Sequence, residues 1–110
     1  MYAITAGETR INGQRVETFE REVLKDRAHL DVIAGTTGYK GRNHRDAGCR
    51  AYVGLDCIRG DFNFSPIFDG RGRMTGVEIA ACGDDSLTAL VRALEFAERV
   101  LDEQRLKYGD

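Results

Sequence analysis

The chain has no run of about 18 consecutive apolar residues, which is the length that a helix needs to cross a bilayer. We therefore expect no transmembrane helix and no membrane partner. The first ten residues, MYAITAGETR, lack the basic stretch followed by an apolar stretch that marks a secretory signal. We expect no export signal, which favours a cytoplasmic protein.

Cysteine and histidine are also scarce, with only Cys49, Cys57, Cys82, His29 and His44 present. No Cys-x-x-Cys pair or helically spaced His pair occurs, so no zinc site is predicted. An odd cysteine count without an export signal favours reduced thiols over disulfides. His44 lies near Cys49, but no acidic residue is implied to orient it, so we expect no catalytic dyad, no metal and no cofactor.

Neither charge sign dominates, because 16 basic residues face 18 acidic ones and the net charge is -2. This balance argues against a long nucleic acid as partner. The G-x-x-x-x-G-K-[ST] run of nucleotide hydrolases is missing as well. At 110 residues the chain is expected to be a single domain, 1–110. Such a short chain buries only about 60–70% of its unfolded surface, which favours pairing with a second copy.

The N-terminal part has the pattern of extended structure. Asn12-Gly13 lies between apolar positions and predicts a hairpin turn. Strands are predicted at about 16–24 and 28–34, although Val16, Phe19 and Val23 also fit one face of a helix. The helix remains an alternative for this segment.

Three further strands and one helix are predicted after residue 50. RAYVGLDCI alternates, with Ala51, Val53, Leu55 and Cys57 expected to face the core. Two further strands, DFNFSPIFD and MTGVEIAAC, are predicted on either side of a DGRGR turn. Because Pro66 has no N–H to donate, the first of them is expected to be an edge strand or to be interrupted at Pro66.

The last segment predicts a long amphipathic helix with Asp85 or Ser86 as its N-cap. Its expected buried stripe consists of Leu87, Leu90, Val91, Leu94, Ala97 and Leu101. Strands followed by one helix predict an α+β fold, in which an antiparallel β-sheet is packed by a long C-terminal α-helix.

The segment AGTTGYKGRNHRDAGCR joins the predicted strand at about 28–34 to the strand RAYVGLDCI. It contains four glycines and a local excess of positive charge. From Lys40 to Arg50 the charges are +4 and -1, so the segment carries +3 in a chain of -2. Glycine lets backbone N–H groups approach an anion, arginine binds phosphate through a planar fork, and tyrosine stacks on a base. This composition predicts a phosphate-binding loop; a solvated loop without a ligand is the alternative. The candidate ligand-binding residues are Thr36, Thr37, Gly38, Tyr39, Arg42, Asn43, Arg45, Arg50 and Tyr52.

Several motifs in this order resemble a known family. AGTTGYKG, GCRAYVGL and GVEIAACGDDSLTALVRALEFAERVLDEQ are similar to segments of the small phage-encoded Thoeris anti-defence proteins of the cyclic-nucleotide sponge type. The likeness spans roughly Phe19 to Gln104. It matches Thr36, Thr37, Gly38 and Tyr39 at the start of the loop, and Arg50 and Tyr52 at the start of the next strand.

The resemblance implies a protein that binds signalling nucleotides of bacterial defence systems and holds them without cleaving them. The implied ligands are cyclic ADP-ribose isomers made by TIR-domain proteins, and cyclic oligonucleotides of CBASS systems in some members. It also implies a homodimer or hexamer, pockets at subunit interfaces, the cytoplasm of an infected bacterium, and two further ligand contacts on the helix, Arg92 and Phe96.

Two other functions remain open from the sequence. A small phage inhibitor could act by direct protein–protein contact, using the helix acids Glu95, Glu98, Asp102 and Glu103. An enzyme that cleaves the same nucleotides is disfavoured by the missing metal-ligand motifs.

Overall fold

A computed structural model describes residues 4–37 and 51–107 of the chain. Within these ranges it has an antiparallel α+β architecture, which confirms the predicted fold class. No helix in this part of the chain is long and apolar enough to cross a membrane. The elements are β1 Thr5–Ile11, β2 Gln14–Lys25, β3 Ala28–Thr36, β4 Ala51–Arg59, β5 Phe62–Phe68, β6 Met74–Ala81 and α1 Asp84–Lys107.

The first hairpin turns at Asn12 and Gly13, as the sequence predicts. Both residues have positive φ values, 50° and 82°, and Ile11 pairs with Gln14 directly across the turn. Asparagine and glycine tolerate this left-handed backbone, and a two-residue turn of this kind matches the twist of the two strands. The hairpin places β1 at one edge of a four-stranded sheet with the order β1-β2-β3-β4.

The segment for which strand and helix both remained open forms the two strands β2 and β3. In β3 the residues Ala28, Leu30, Val32 and Ala34 alternate with half-buried ones and are fully buried. Directly opposed residues of antiparallel strands share a face, so Phe19, Arg21 and Val23 of β2 lie on that same side. We call it the helix face, because its β3 residues form one core with α1.

The helix meets the sheet through its smallest apolar side chains. Ala89, Ala93 and Ala97 are buried, together with Phe96 and Val100. The predicted stripe was therefore wrong for Leu87, Val91 and Leu94, which are about half exposed. Small side chains let the helix backbone approach the sheet closely, which turns the larger leucines outward.

The fourth strand is covered less than its alternating pattern predicts. Leu55 and Cys57 pair with Val32 and Leu30 on the helix face and are only half-buried, while Val53 is 48% exposed. The helix packs mainly over β3 and β2. The apolar side of β4 therefore stays partly open beside the exposed leucines of α1.

The last two strands form a separate two-stranded hairpin. β5 pairs only with β6, so Pro66 lies in a strand with one described neighbour and breaks no second ladder. Asp69 organises the turn, because its side chain accepts hydrogen bonds from the backbone N–H groups of Arg71 and Arg73 at 2.8 and 3.0 Å.

The helix begins earlier than predicted. The backbone N–H of Leu87 donates to the carbonyl oxygen of Gly83 at 3.0 Å, so Gly83 occupies the cap position expected at Asp85 or Ser86. Ser86 Oγ instead accepts a hydrogen bond from the backbone N–H of Asp61 at 3.1 Å, which ties the base of the β5–β6 hairpin to the helix.

Candidate functional site

The two ends of the basic, glycine-rich segment lie side by side. Thr36, the last residue of β3, is the register partner of Ala51, the first residue of β4. The connection between them, 37–50, has 14 residues, whereas antiparallel neighbours need only about 2–5. The sheet thus holds the two ends of this unusually long connection next to each other, separated by the distance between neighbouring strands.

A glutamine of the helix clamps this end of the sheet. Gln104 is 4% exposed; its Oε1 accepts a hydrogen bond from the backbone N–H of Thr36 at 2.8 Å, and its Nε2 donates to the carbonyl oxygen of Glu17 at 2.9 Å. The direct β2–β3 pairing ends at Phe19 and Ala34, two residues before this point. The side-chain amide therefore bridges the two strands where their own ladder stops.

Gly35 lies at the same point and allows the backbones of the two strands to approach closely. A Cβ at this position would collide with the carbonyl oxygen of Glu17 and lie 3.1 Å from Thr18 Cα. Only a residue without a side chain fits against this backbone. Thr36 and Thr37, which follow, are both buried.

Tyr52 faces the other side of the sheet. It pairs with Gly35, one position from the Thr36–Ala51 pair, and is half-buried. Its hydroxyl oxygen would lie 3.4 Å from a Cβ at Gly54, so its ring extends along β4 over that glycine. Thr36 and Tyr52 consequently lie at the same end of the sheet on opposite faces.

Six predicted ligand contacts lie outside the described residues: Gly38, Tyr39, Arg42, Asn43, Arg45 and Arg50. The three described ones, Thr36, Thr37 and Tyr52, lie at the same end of the sheet, with Thr36 and Tyr52 on opposite faces. The two helix candidates do not join them. Arg92 is twelve residues before Gln104, which corresponds to about 18 Å along the helix axis.

Arg92 and Phe96 instead line a different cavity of about 320 Å³, between β2 and α1. Arg92 is exposed, whereas Phe96 is 4% exposed and belongs to the core. We call this cavity the arginine cleft; its lining residues are Arg21, Glu22, Val23, Leu24, Arg92, Glu95, Phe96 and Arg99.

Sequence reasoning missed Gln104, Arg21 and Arg99. Arg21 was detectable, because it alternates with Phe19 and Val23 and is therefore a charged residue at a core-facing position. Arg99 follows Arg92 by seven residues, which is two helical turns and hence the same face. Gln104 gave no such signal, because its partners lie 68 and 87 positions away.

The sheet face opposite the helix carries a row of carboxylates across three strands. Glu22 pairs with Asp31, and Asp31 pairs with Asp56. Burial, then the hydrogen bond with Glu20 and the repulsion of the neighbouring carboxylates, raise the pKa of Asp31 from 3.8 to about 7. Glu22 Oε1 also lies 3.0 Å from His29 Nε2.

Within residues 4–37 and 51–107, no three His, Cys, Asp or Glu side chains converge in a way that could hold a metal ion. Cys57 and Cys82 are free thiols.

Comparison with known proteins gives no relative. No protein-family model, no curated protein and no solved structure matches the chain.

Proposed function

We propose that this protein binds a small cyclic nucleotide of the cyclic ADP-ribose type and sequesters it without cleaving it. The observation that carries the proposal is the long basic connection with both ends fixed by the β3–β4 pair and by Gln104. Connections of this length in small domains usually have a function. A fixed base limits the entropy that the segment loses when a ligand orders it.

Charge supports an anionic ligand. The segment from Lys40 to Arg50 carries +3, so the rest of the chain carries -2 - 3 = -5. Because the rest of the chain is acidic, this segment is a local region of positive charge, which attracts phosphate. Its arginines offer planar donor forks, and its glycines offer backbone N–H groups, which suits a pyrophosphate bridge between two riboses.

Sequestration requires high affinity and no turnover, so the proposed site needs neither a metal nor a general base. The proposed setting is the cytoplasm of an infected bacterium, where the ligand is a defence signal. Cyclic oligonucleotides are the second ligand class, since they present the same phosphates and bases.

We also propose that two copies associate. The β5–β6 hairpin exposes Phe64, Ile67, Phe68, Met74 and Val77, and the helix exposes Leu87, Val91 and Leu94. Contiguous apolar patches larger than about a few hundred Å² mark interaction sites, and these side chains are the apolar surface that a second copy would cover. A lone two-stranded hairpin is also marginally stable, so burial against a second copy would stabilise it.

The proposal is tested with a cyclic ADP-ribose isomer made by a TIR enzyme. The protein and ligand are mixed and filtered, and the retained protein is heated to release what it holds. Sequestration depletes the filtrate and returns the intact nucleotide after heating. A cleaved product after heating, or a filtrate that keeps its full signal for both this isomer and a cyclic trinucleotide, contradicts the proposal.

Two matched variants locate the binding segment. Arg50→Ala removes a charge from the basic segment and is expected to weaken binding at least about tenfold, as the loss of one charge-assisted hydrogen bond does. Arg71→Ala removes the same charge from the exposed β5–β6 turn and should leave binding unchanged. Equal affinity of Arg50→Ala and wild type removes Arg50 from the site.

The second candidate function is inhibition by direct protein contact. It is favoured by the exposure of Glu95, Glu98, Asp102 and Glu103 on α1, which form an acidic surface for a basic partner. Replacing Glu98 and Glu103 by glutamine should abolish such inhibition and leave nucleotide retention intact. The reverse pattern supports sequestration.

A further inference from the structure

The arginine cleft brings three guanidinium groups to one cavity. Arg21 comes from β2, and Arg92 and Arg99 come from positions two turns apart on α1. Glu95 adds a carboxylate to the same wall, whereas the carboxylate of Glu22 lies on the opposite face of the sheet beside His29, so the side chains of the cleft carry a net positive charge. In the part of the chain that is described, no ion pair involves any of the three arginines.

One of these arginines has a buried donor without a partner. Arg21 Nε is inaccessible to water and makes no hydrogen bond. A buried donor that stays unsatisfied is costly, so native proteins retain few of them, and a ligand, ion or water commonly supplies the missing partner. The nearest carboxylate along the strand, Glu22, is already within 3.0 Å of His29.

The remaining walls are apolar or strand backbone. Phe96 and Val23 are buried behind the cleft and keep water away from its inner side. A charged hydrogen bond is stronger against such a surface than in open water. β1 pairs with β2 only as far as Glu20, so of the described strands only β3 flanks β2 beside the cleft.

From this arrangement we propose that the arginine cleft is a binding site for a phosphate-bearing small molecule. Its volume of about 320 Å³ lies at the lower end of the range for small-molecule pockets and suits a diphosphate group with part of its substituent. Arg92 and Arg99 bind the phosphate oxygens at the mouth of the cleft, and Arg21 Nε–H donates a hydrogen bond to the diphosphate from inside it. The site does not rest on the proposed function, because its three arginines belong to β2 and α1 and none of them to the basic segment; along the helix axis, Arg92 lies about 18 Å and Arg99 about 8 Å from Gln104.

The test uses sodium pyrophosphate as the probe and the full chain at low ionic strength. Calorimetry measures the affinity, and the ¹⁵N spectrum of arginine side chains reports on Arg21 Nε–H. Binding should shift that resonance and slow its exchange with water, because the donor gains a partner. A wild-type chain that binds no pyrophosphate, or binds it without any change at Arg21, overturns the proposal.

Variants separate the cleft from general charge effects. Arg92→Gln and Arg99→Gln change exposed positions, so the fold should survive, and each should weaken binding about tenfold. Glu95→Gln removes a repelling carboxylate from the same wall and should tighten binding. Arg71→Gln is the control for total charge and should leave the affinity unchanged; an equal loss in Arg71→Gln means that binding is non-specific and overturns the site.

The proposed nucleotide site and the proposed phosphate site in the arginine cleft can be contradicted independently of each other. Arg50→Ala should bind pyrophosphate in the cleft as the wild type does, whatever it does to nucleotide retention. Arg92→Gln and Arg99→Gln should still retain the cyclic nucleotide. Loss of retention in these two variants would mean that the cleft is the nucleotide site itself, and it would overturn the assignment of a separate one.

Discussion

Gln104 accepts a hydrogen bond at 2.8 Å from the backbone N–H of Thr36, although 68 positions separate the two residues. The same side-chain amide donates to the carbonyl oxygen of Glu17. The C-terminal turn of the helix is thereby joined to the position where β3 leaves the sheet. One side chain thus links the end of the helix to the backbone of both β2 and β3.

Replacing Gln104 by leucine should destabilise the protein by about 2–4 kcal/mol, because a buried N–H and a buried C=O both lose their partner. Chemical denaturation measures the change. Glu103→Leu is the matched control, since Glu103 is the exposed neighbour, and should stay within about 0.5 kcal/mol of wild type. Similar losses in both variants would show that helix propensity, and not the clamp, is responsible.

Gly35→Ala should be destabilising, by about 1–3 kcal/mol, because the new Cβ meets the backbone of Glu17 and Thr18, which cannot move aside as a side chain can. Gly70→Ala offers the contrast. Nothing lies within 4 Å of a Cβ at Gly70 and its φ is not positive, so this variant should be neutral or slightly more stable. Thermal melts of the two variants side by side check the prediction, and a neutral Gly35→Ala contradicts it.

Stability should fall as the pH rises from about 4 to about 7, through the titration of Asp31. Its folded pKa, about 7, lies above the ordinary 3.8, so the native state binds a proton that the unfolded chain releases. The associated stability is complete below pH 3.8 and is lost as the pH passes about 7. Asp31→Asn should therefore flatten the stability profile and gain most over wild type at pH 8.

Urea denaturation at pH 5 and pH 8 measures this difference. Asp56→Asn is the control, because the repulsion from Asp56 is the last and smallest cause of the Asp31 shift. It should flatten the profile less than Asp31→Asn does. An Asp31→Asn protein that loses as much stability between the two pH values as wild type contradicts the assignment to Asp31.

Lysine at Leu94 and Phe68 should convert a dimer into a monomer without unfolding the chain, because both side chains are at least half exposed. Light scattering at several concentrations gives the mass, and circular dichroism checks the fold. Glu103→Lys is the charge-matched control, because Glu103 is exposed and does not share the helix face of Leu87, Val91 and Leu94. A wild-type chain that stays monomeric at about 100 μM, well above the Kd of ordinary stable interfaces, contradicts the proposed association.

The strands could be predicted from sequence because their signals are local. Alternation in Ala28–Thr36 and the Asn12-Gly13 turn are visible within a few residues, and both predictions are confirmed. The helix itself was equally clear. The face of the helix that packs on the sheet was not clear, because apolar residues occupy more than one face. Whether the leucines or the alanines are buried depends on how closely the helix approaches the sheet.

The site was predictable only in its outline. The basic segment is evident from composition, whereas the clamp by Gln104 needs a contact across most of the chain. Arg92 was chosen as a companion of the loop residues, and the fold places it about 18 Å along the helix axis from Gln104, which contacts Thr36. Distances of this kind follow from topology, which a single sequence does not reveal.

The pairing of Thr36 with Ala51 has an evolutionary consequence. Because β3 and β4 meet at that pair whatever joins them, substitutions, insertions and deletions between them leave the sheet register untouched. Lengthening such a connection costs little, since closure entropy grows only with the logarithm of length. The sheet therefore tolerates changes in the length and composition of this segment better than changes in the strands that flank it.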